Sequence, residues 1–424
     1  MKEDFLHYLW KYKLYNTSQL KTIEGQNLEV LNSGIANSDA GPDFFNGKIK
    51  IEDTIWAGNI EIHVKSSDWL KHQHHTDKAY DNVILHVVYE DDKPVIDRNK
   101  NSVPTLELKS IINTTLLENY INLLNSKDWI PCGNQIKGID SFTINNFLDR
   151  LTIERLERKS GEILQTLELN KNDWEETFYQ YLFKYFGLNV NAAPFHLLAK
   201  NTPLKIIDKH HSIESIEALL YGQAGMLEEN VKDVYHENLK KEYQFLRAKF
   251  KLEAIDNSLW KLLRLRPSNF PTIRISQLAN LLLKKPRMFS NVIAANSIKK
   301  IQELFKVSAS QYWDNHYQFG KVSDIKKQKK IGEATVNNII INVIVPFIFV
   351  YSQHNGINEL RQTAFSYLEK LPAEKNTIIK KWKELSVISI NAMQTQSLLE
   401  LKNNYCFQKK CLNCSVGNNI LRNG

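Results

Sequence analysis

Residues 41–65 read GPDFFNGKIKIEDTIWAGNIEIHVK, and their alternation decides the fold of the N-terminal part. Side chains on a strand point to opposite faces with a period of two. GKIKIED and TIWAGNIEIHV both follow that period and are separated by almost nothing, so they predict two strands paired as a hairpin. On the second strand the alternation places Ile60, Ile62 and Val64 on one face and Glu61, His63 and Lys65 on the other. Ionisable groups are costly to cover without partners, so this polar face needs a chemical reason. The hairpin also sets Asp43, at the entry of its first strand, beside the end of the second, so two carboxylates converge near His63.

Working outward, LEVL precedes the hairpin and NVILHVVYE and VPTLELK follow it, with NSG, NSDAGPD and DDK as turn clusters. The chain opens with EDFLHYLWKYKL, whose Phe5, Leu6, Leu9, Trp10 and Leu14 form a helical stripe ended by Asn16-Thr17-Ser18. SSDWLKHQHHTDKAYD, between the third and fourth strands, has room for a short helix. The expected order is α, β, β, β, α, β over residues 1–110, an α+β domain. From 111 to 424 the period becomes helical almost throughout, with helices expected near 112–125, 142–167, 172–186, 213–226, 229–250, 273–285, 297–306, 335–351, 356–371 and 376–403.

Composition excludes several classes. At 424 residues, 42% hydrophobic and 24% charged, with four cysteines, the chain is neither disordered nor a disulfide-stapled scaffold. MKEDFLHYLW does not read as a signal peptide, and the apolar run from Ile339 to Tyr351 is shorter than the roughly 20 residues a membrane span needs. A cytoplasmic protein without a membrane crossing is the expectation. The net charge of +8 is uneven: residues 1–110 hold 13 Lys+Arg against 17 Asp+Glu, a balance of −4, which leaves +12 for the rest. Basic groups at Arg150, Arg155, Arg158 and Lys159, at Lys261, Arg264, Arg266 and Arg274, and at Lys284, Lys285 and Arg287 point to nucleic acid as partner. The competing reading is a solvated helix surface. For Gly222, Ala224 and Gly225, tight helix packing is a sufficient reading.

Asp43 and Glu61 together are enough to hold Mg²⁺ or Mn²⁺ with a phosphate oxygen, and His63 or Lys65 then orients water or steadies developing charge. The Pro42-Asp43 and Glu61-x-His63 spacing on this element order resembles the PD-(D/E)XK nuclease superfamily. The resemblance implies a restriction-endonuclease-like αβββαβ core, metal ligands Asp43 and Glu61, and an additional acid at Glu3 on the opening helix. His63 stands where the superfamily has lysine, and Lys65 lies two residues beyond. Glu107-Leu108-Lys109 also spells Glu-x-Lys but is far in sequence from Pro42-Asp43.

His63, His72, His74, His75 and His86 gather within 24 residues. Such a cluster suits Zn²⁺ or Mn²⁺ and opens a different reading, a histidine-metal hydrolase of small substrates. His86 alone, inside VILHVV, reads as a core histidine, and Trp69 as packing. The four cysteines are Cys132 and the C-x4-C-x2-C array Cys406, Cys411, Cys414, good thiolate-ligand spacing for Zn²⁺ or an iron–sulfur cluster. This distant-cysteine-plus-trio pattern resembles that of helicase-associated nucleases in the same superfamily. Finally, HYLW, NSDAGPDFFNGKIKI, WAGNIEIHVKSSDWLKHQHH, EALLYGQAG, LRPSNFPTIRISQLA and KKCLNC together resemble a bacterial domain-of-unknown-function family over essentially the whole chain. The expectation is a metal-dependent nuclease-like protein; the alternatives are a noncatalytic nucleic-acid-binding scaffold or the histidine-metal hydrolase.

Overall fold

Helix α1 (Glu3–Tyr12) opens the chain in the computed structural model, which describes residues 1–423. A helix this short does not persist alone in water, so its stability comes from the face it buries. Phe5, Leu6, Tyr8, Leu9 and Trp10 are all buried, each large apolar side chain contributing about 1.5–3 kcal/mol. The helix ends where Lys13 adopts left-handed backbone at φ 50°. Glu3 and His7 sit one turn apart and so share a face of it.

Strands β1 (Leu28–Asn32), β2 (Ile35–Ala36), β3 (Phe44–Ile51), β4 (Thr54–Lys65), β5 (Val83–Glu90) and β6 (Thr105–Glu107) form one mixed sheet in the order β1-β3-β4-β5-β6, with β2 on β3. The hairpin read from the sequence is β3–β4, antiparallel, with Ile51 opposite Thr54 and Phe44 opposite Ile60. β5 then pairs with β4 in parallel, Glu61 opposite His86, and β6 pairs with β5 in parallel. A parallel neighbour requires a crossover. Residues 66–82 supply it through α2 (Asp68–Lys71) and a short 3₁₀ turn, Lys78–Tyr80. Trp69 anchors this crossover: it is fully buried against Val95 and Val103, and its indole N–H donates to the Ile96 carbonyl at 3.0 Å. The N-terminal region is thus mixed α/β, and the remainder is largely helical.

The N-terminal unit takes in more chain than residues 1–110. It comprises Met1–Leu148, Lys381–Val387 and the segment from Leu399 on, so that helix α3 (Thr114–Asn125) and the C-terminal cysteine segment belong with the sheet. The second unit, Asp149–Lys380 with Ile388–Leu398, is helical around an aromatic-rich core that includes Phe178, Phe183, Phe186 and Phe347. In it, a Cβ on Gly222 would stand 2.1 Å from the Tyr243 ring, and Gly225 has φ +72° with its Cβ direction 2.4 Å from the Ile255 carbonyl oxygen.

Three expectations for the helical part change. The stretch Leu188–Asn201, outside the expected helices, is helical on both sides of a kink at Asn191 (φ −115°), which leaves Pro194 in the first turn of the second piece, and it buries Phe195, Leu198 and Ala199. The stretch 376–403 is two helical segments, Thr377–Glu384 and one beginning at Ala392, parted where Ser386 takes φ +67°. Helix Glu333–Asn355 runs 23 residues through a π-helical turn at Ile340–Ile344. It is apolar and long enough to span a bilayer, but most of it is buried within the unit. Two of the bases read as surface groups are also buried. Arg155 reaches Asn342 Oδ1, and Arg274 holds Gln277, Asn269 and Thr335, so both act as helix-to-helix ties.

Candidate active site

Asp43 and Glu61 are interlocked through the backbone of the β3–β4 pair. The Asp43 N–H donates to Glu61 Oε2 at 3.2 Å, and Asp43 Oδ2 accepts from the Ile62 N–H at 2.9 Å. The register that sets Phe44 opposite Ile60 forces this exchange: one residue further along each way, Asp43 faces Glu61. Helix α1 adds His7, whose Nε2 lies 3.2 Å from Asp43 Oδ2. Glu3, on the same face of α1, is in electrostatic range of Asp43, His7 and His72.

The crossover brings in the histidines. His74 Nε2 is 3.2 Å and His63 Nε2 is 3.5 Å from Glu61 Oε1, and His63 Nε2 is 3.1 Å from His72 Nδ1. Ligand atoms of His63, His72 and His74 all lie within 4.8 Å of one another. His63 and His74 are buried and His72 is exposed, so the cluster opens to solvent on the His72 side. Tyr80 stacks on His74 at 3.7 Å between ring centroids, and Trp69 meets its edge at 5.4 Å, which fixes the ring. The other nitrogen of His63, Nδ1, is 2.8 Å from Nε2 of the fully buried His86. His86 therefore sits behind His63 and orients it, the arrangement that metal-binding imidazoles need.

Burial dictates the charge states. It pulls His63 down to about 2, with His86, His74 and His72 adding to the effect, and pulls His86 down to about 3. Both rings are therefore neutral near pH 7, leaving lone pairs for a cation. Burial raises the Glu61 carboxyl above its ordinary range; His74 pulls it back, Asp43 pushes it up, and the Asp43 N–H lowers it again. His7 moves upward: burial opposes its charge, but Asp43, Glu3 and Asp4 together outweigh burial. Glu3 is raised by burial, a change opposed by His72 and helped by Asp43. Carboxylates crowded under partial burial are stabilised by a bound cation, which fits the donor set. His74 fits it too: it is 7% exposed, and among the described residues neither ring nitrogen makes a well-aligned hydrogen bond, although Nε2 faces Glu61.

Not every residue singled out from the sequence enters this centre. The Lys65 ammonium is directed to Asp92 at 3.9 Å and is half-exposed. Glu107 accepts the Asp91 N–H and Lys109 pairs with Glu90, which leaves the literal Glu-x-Lys occupied elsewhere. His7 was missed, although its spacing of four from Glu3 on a helix was legible. Asp43 and His7 also line a cleft of about 540 Å³ that carries Lys2, Lys11 and Lys410.

The four cysteines lie in electrostatic range of one another at a second place in the same unit. Cys132, Cys411 and Cys414 are buried, Cys406 is partly so, and none is in a disulfide among the described residues. Cys406 is in electrostatic range of the other three. Burial, with mutual repulsion adding to it, pushes the Cys132 thiol up to about 12; Cys411 is also pushed to about 12, by burial and Cys414.

Comparison with known proteins yields a family and no reaction. A family model described as "Protein of unknown function (DUF2851)" matches residues 3–377, which takes in the sheet and the histidine cluster and stops short of Cys406. No curated protein and no solved structure matches the chain.

Proposed function

The chain belongs to the DUF2851 family, and from its own residues we propose that it is a metal-dependent hydrolase of phosphodiester bonds in nucleic acid. One observation carries the proposal: an interlocked pair of acids, Asp43 and Glu61, lies against three convergent imidazoles, with Asp43 and His7 lining a lysine-bearing cleft. Acids placed before one strand and on its antiparallel neighbour support the likeness to the PD-(D/E)XK core. His63, in place of lysine, departs from it. The departure also bears on the metal. Oxygen donors alone suit Mg²⁺, whereas imidazoles beside carboxylates favour a transition-metal ion, Mn²⁺ or Zn²⁺, over it.

In this reading Glu61, His63, His72 and His74 would hold one divalent cation, with Asp43 on the cleft side, where substrate would enter, and Glu3 in electrostatic range of Asp43 and His72. When bound, such an ion activates water and neutralises charge on the transferring phosphoryl group. The residues do the rest. His86 fixes the ring of His63; His7, poised by Asp43, moves a proton at the leaving oxygen; Lys2, Lys11 and Lys410 hold the flanking phosphates. The trihistidine set, two of whose three rings are buried, favours one second reading, hydrolysis of a small substrate at the same ion. A polyanion suits the lysine-bearing cleft better.

The test is cleavage of single- and double-stranded DNA and RNA with Mg²⁺ or Mn²⁺ by the wild-type chain, Asp43→Ala and Glu61→Gln. Metal-dependent cleavage that both variants lose supports the proposal. Equal cleavage by all three proteins, or none by the wild type on any of these substrates, overturns it.

A further inference from the structure

The second cluster lies outside that chemistry. We propose that Cys132, Cys406, Cys411 and Cys414 together hold one thiolate-bound metal centre, Zn²⁺ or an iron–sulfur cluster, which fastens the C-terminal segment beside α3 and so builds one wall of the cleft to Asp43. Every cysteine in the chain is used, and Cys132 reaches the trio from 274 residues earlier. Two lysines fasten the segments that carry the thiols. Lys402 Nζ donates to the Trp129 carbonyl at 2.5 Å, and Lys409 Nζ donates to the carbonyls of Leu124 and Ser126.

The backbone around the thiols is shaped for convergence rather than for regular packing. Leu401–Cys406 is π-helical, Lys409 has φ +52°, and Cys411–Asn413 is a single 3₁₀ turn. A π-turn widens a helix at a cost and is found mostly where function requires it. Gly417 permits the close return of the last helix: a Cβ there would stand 2.2 Å from the Cys411 carbonyl oxygen.

Four buried thiols could pack as small apolar groups. Two features favour ligation instead. Their spacing is that of a soft tetrahedral centre, C-x4-C-x2-C plus one, and the ammonium groups of Lys402 and Lys409, held on the carbonyls of Trp129, Leu124 and Ser126, lie in electrostatic range of Cys406 and Cys411. On binding, each thiol gives its proton to solvent as its sulfur–metal bond forms. Four thiolates on Zn²⁺ leave a net charge of −2, which those two ammonium groups offset.

The consequence reaches the cleft. Its lining includes Gln408, Lys409, Lys410, Leu412 and Asn413, the loop strung between Cys406 and Cys414. Holding the thiols therefore holds Lys410 in the cleft wall. The ligation itself does not rest on the proposed hydrolysis, and its test uses no cleavage assay.

The full chain is purified without chelator, aerobically and anaerobically, and analysed for zinc, iron, acid-labile sulfide and visible absorbance. Cys132→Ser, Cys411→Ser and the control His72→Ala/His74→Ala are treated alike. The expected result is metal that the histidine control keeps and both cysteine variants lose. Zinc without sulfide identifies a single ion, and iron with sulfide identifies a cluster. Because the cysteine variants are liable to misfold, the wild type is also probed directly. A thiol reagent should leave the four cysteines unreacted until chelator is added, and trypsin should cut at Lys409 and Lys410 only after chelation. Metal retained by Cys132→Ser and Cys411→Ser overturns the proposal, as do wild-type thiols that react at one rate with and without chelator.

Discussion

Replacing His86 by leucine separates a structural histidine from one that tunes a metal ligand. His86 is fully buried and its Nε2 lies 2.8 Å from His63 Nδ1, while His63 is 1% exposed. Binding a cation through His63 Nε2 fixes the ring as the Nδ1–H tautomer, whose proton must go to His86. Without His86 that N–H is buried and unpaired, at a cost of about 1–3 kcal/mol. The metal-free protein escapes this cost, because His63 can carry its proton on Nε2 and donate it to His72 Nδ1 at 3.1 Å. The penalty therefore falls on the metal-bound state, about 10–100-fold in affinity. In the metal-free state, loss of the His86 contact is offset by removing His86 Nδ1, which among the described residues has no hydrogen-bond partner, so stability should move by no more than about 1 kcal/mol. Competition titration of Mn²⁺ against a fluorescent chelator measures the first quantity, and urea unfolding in EDTA the second. Affinity unchanged within about threefold, or a stability loss in EDTA as large as the affinity loss, would refute the reasoning.

Three further outcomes are expected. The metal-free protein should lose stability as pH falls from about 6.5, the unfolded histidine value, toward about 3: His63 and His86 stay neutral in the fold but protonate when unfolded, so the unfolded state binds more protons. The pair amounts to at most about 4 kcal/mol at pH 5, partly offset by Glu61, whose raised carboxyl gains its proton in the fold; urea unfolding at pH 7.5 and pH 5 reads the difference. Gly222→Ala should destabilise the helical unit by about 3 kcal/mol or more, since its Cβ meets a Tyr243 ring that is itself buried; a thermal midpoint within a degree of wild type would contradict this. Asp43→Asn should lower metal-dependent cleavage by about 100-fold or more, whereas Lys65→Met should stay within about threefold of wild type, because Lys65 is directed to Asp92; initial rates on one substrate compare them.

How far the site was legible depended on whether its signal was local. Alternation along Ile60–Val64 sets the register, and register alone brings Asp43 to Glu61, so that pair could be read directly. His63 and His72 to His75 were visible as a dense cluster, but which ring nitrogens converge depends on how the crossover folds onto β4, and Trp69 and Tyr80 decide that by packing. Lys65 shows the limit of alternation. It shares a face with Glu61, yet at the strand end its long side chain is directed to Asp92. In the helical part, Leu188–Asn201 lay outside the expected helices; it is helical about a kink at Asn191, which places Pro194 in the first turn of the second piece, where a proline is tolerated, and Phe195 and Leu198 are buried. Between 376 and 403 a periodic pattern hid a turn at Ser386 that carries no glycine to announce it. Arg155 and Arg274 looked like surface charge because sequence shows bases but not the buried amide and hydroxyl oxygens that meet them.

Anomalous diffraction from crystals of the full chain soaked in Mn²⁺ tests the central claim most directly. The expected result is one peak bonded to Glu61 Oε1 and to nitrogens of His63, His72 and His74, at about 2.0–2.3 Å. Full soaking with no peak among those side chains, and Glu61 still turned to the Asp43 N–H and His74, would contradict it.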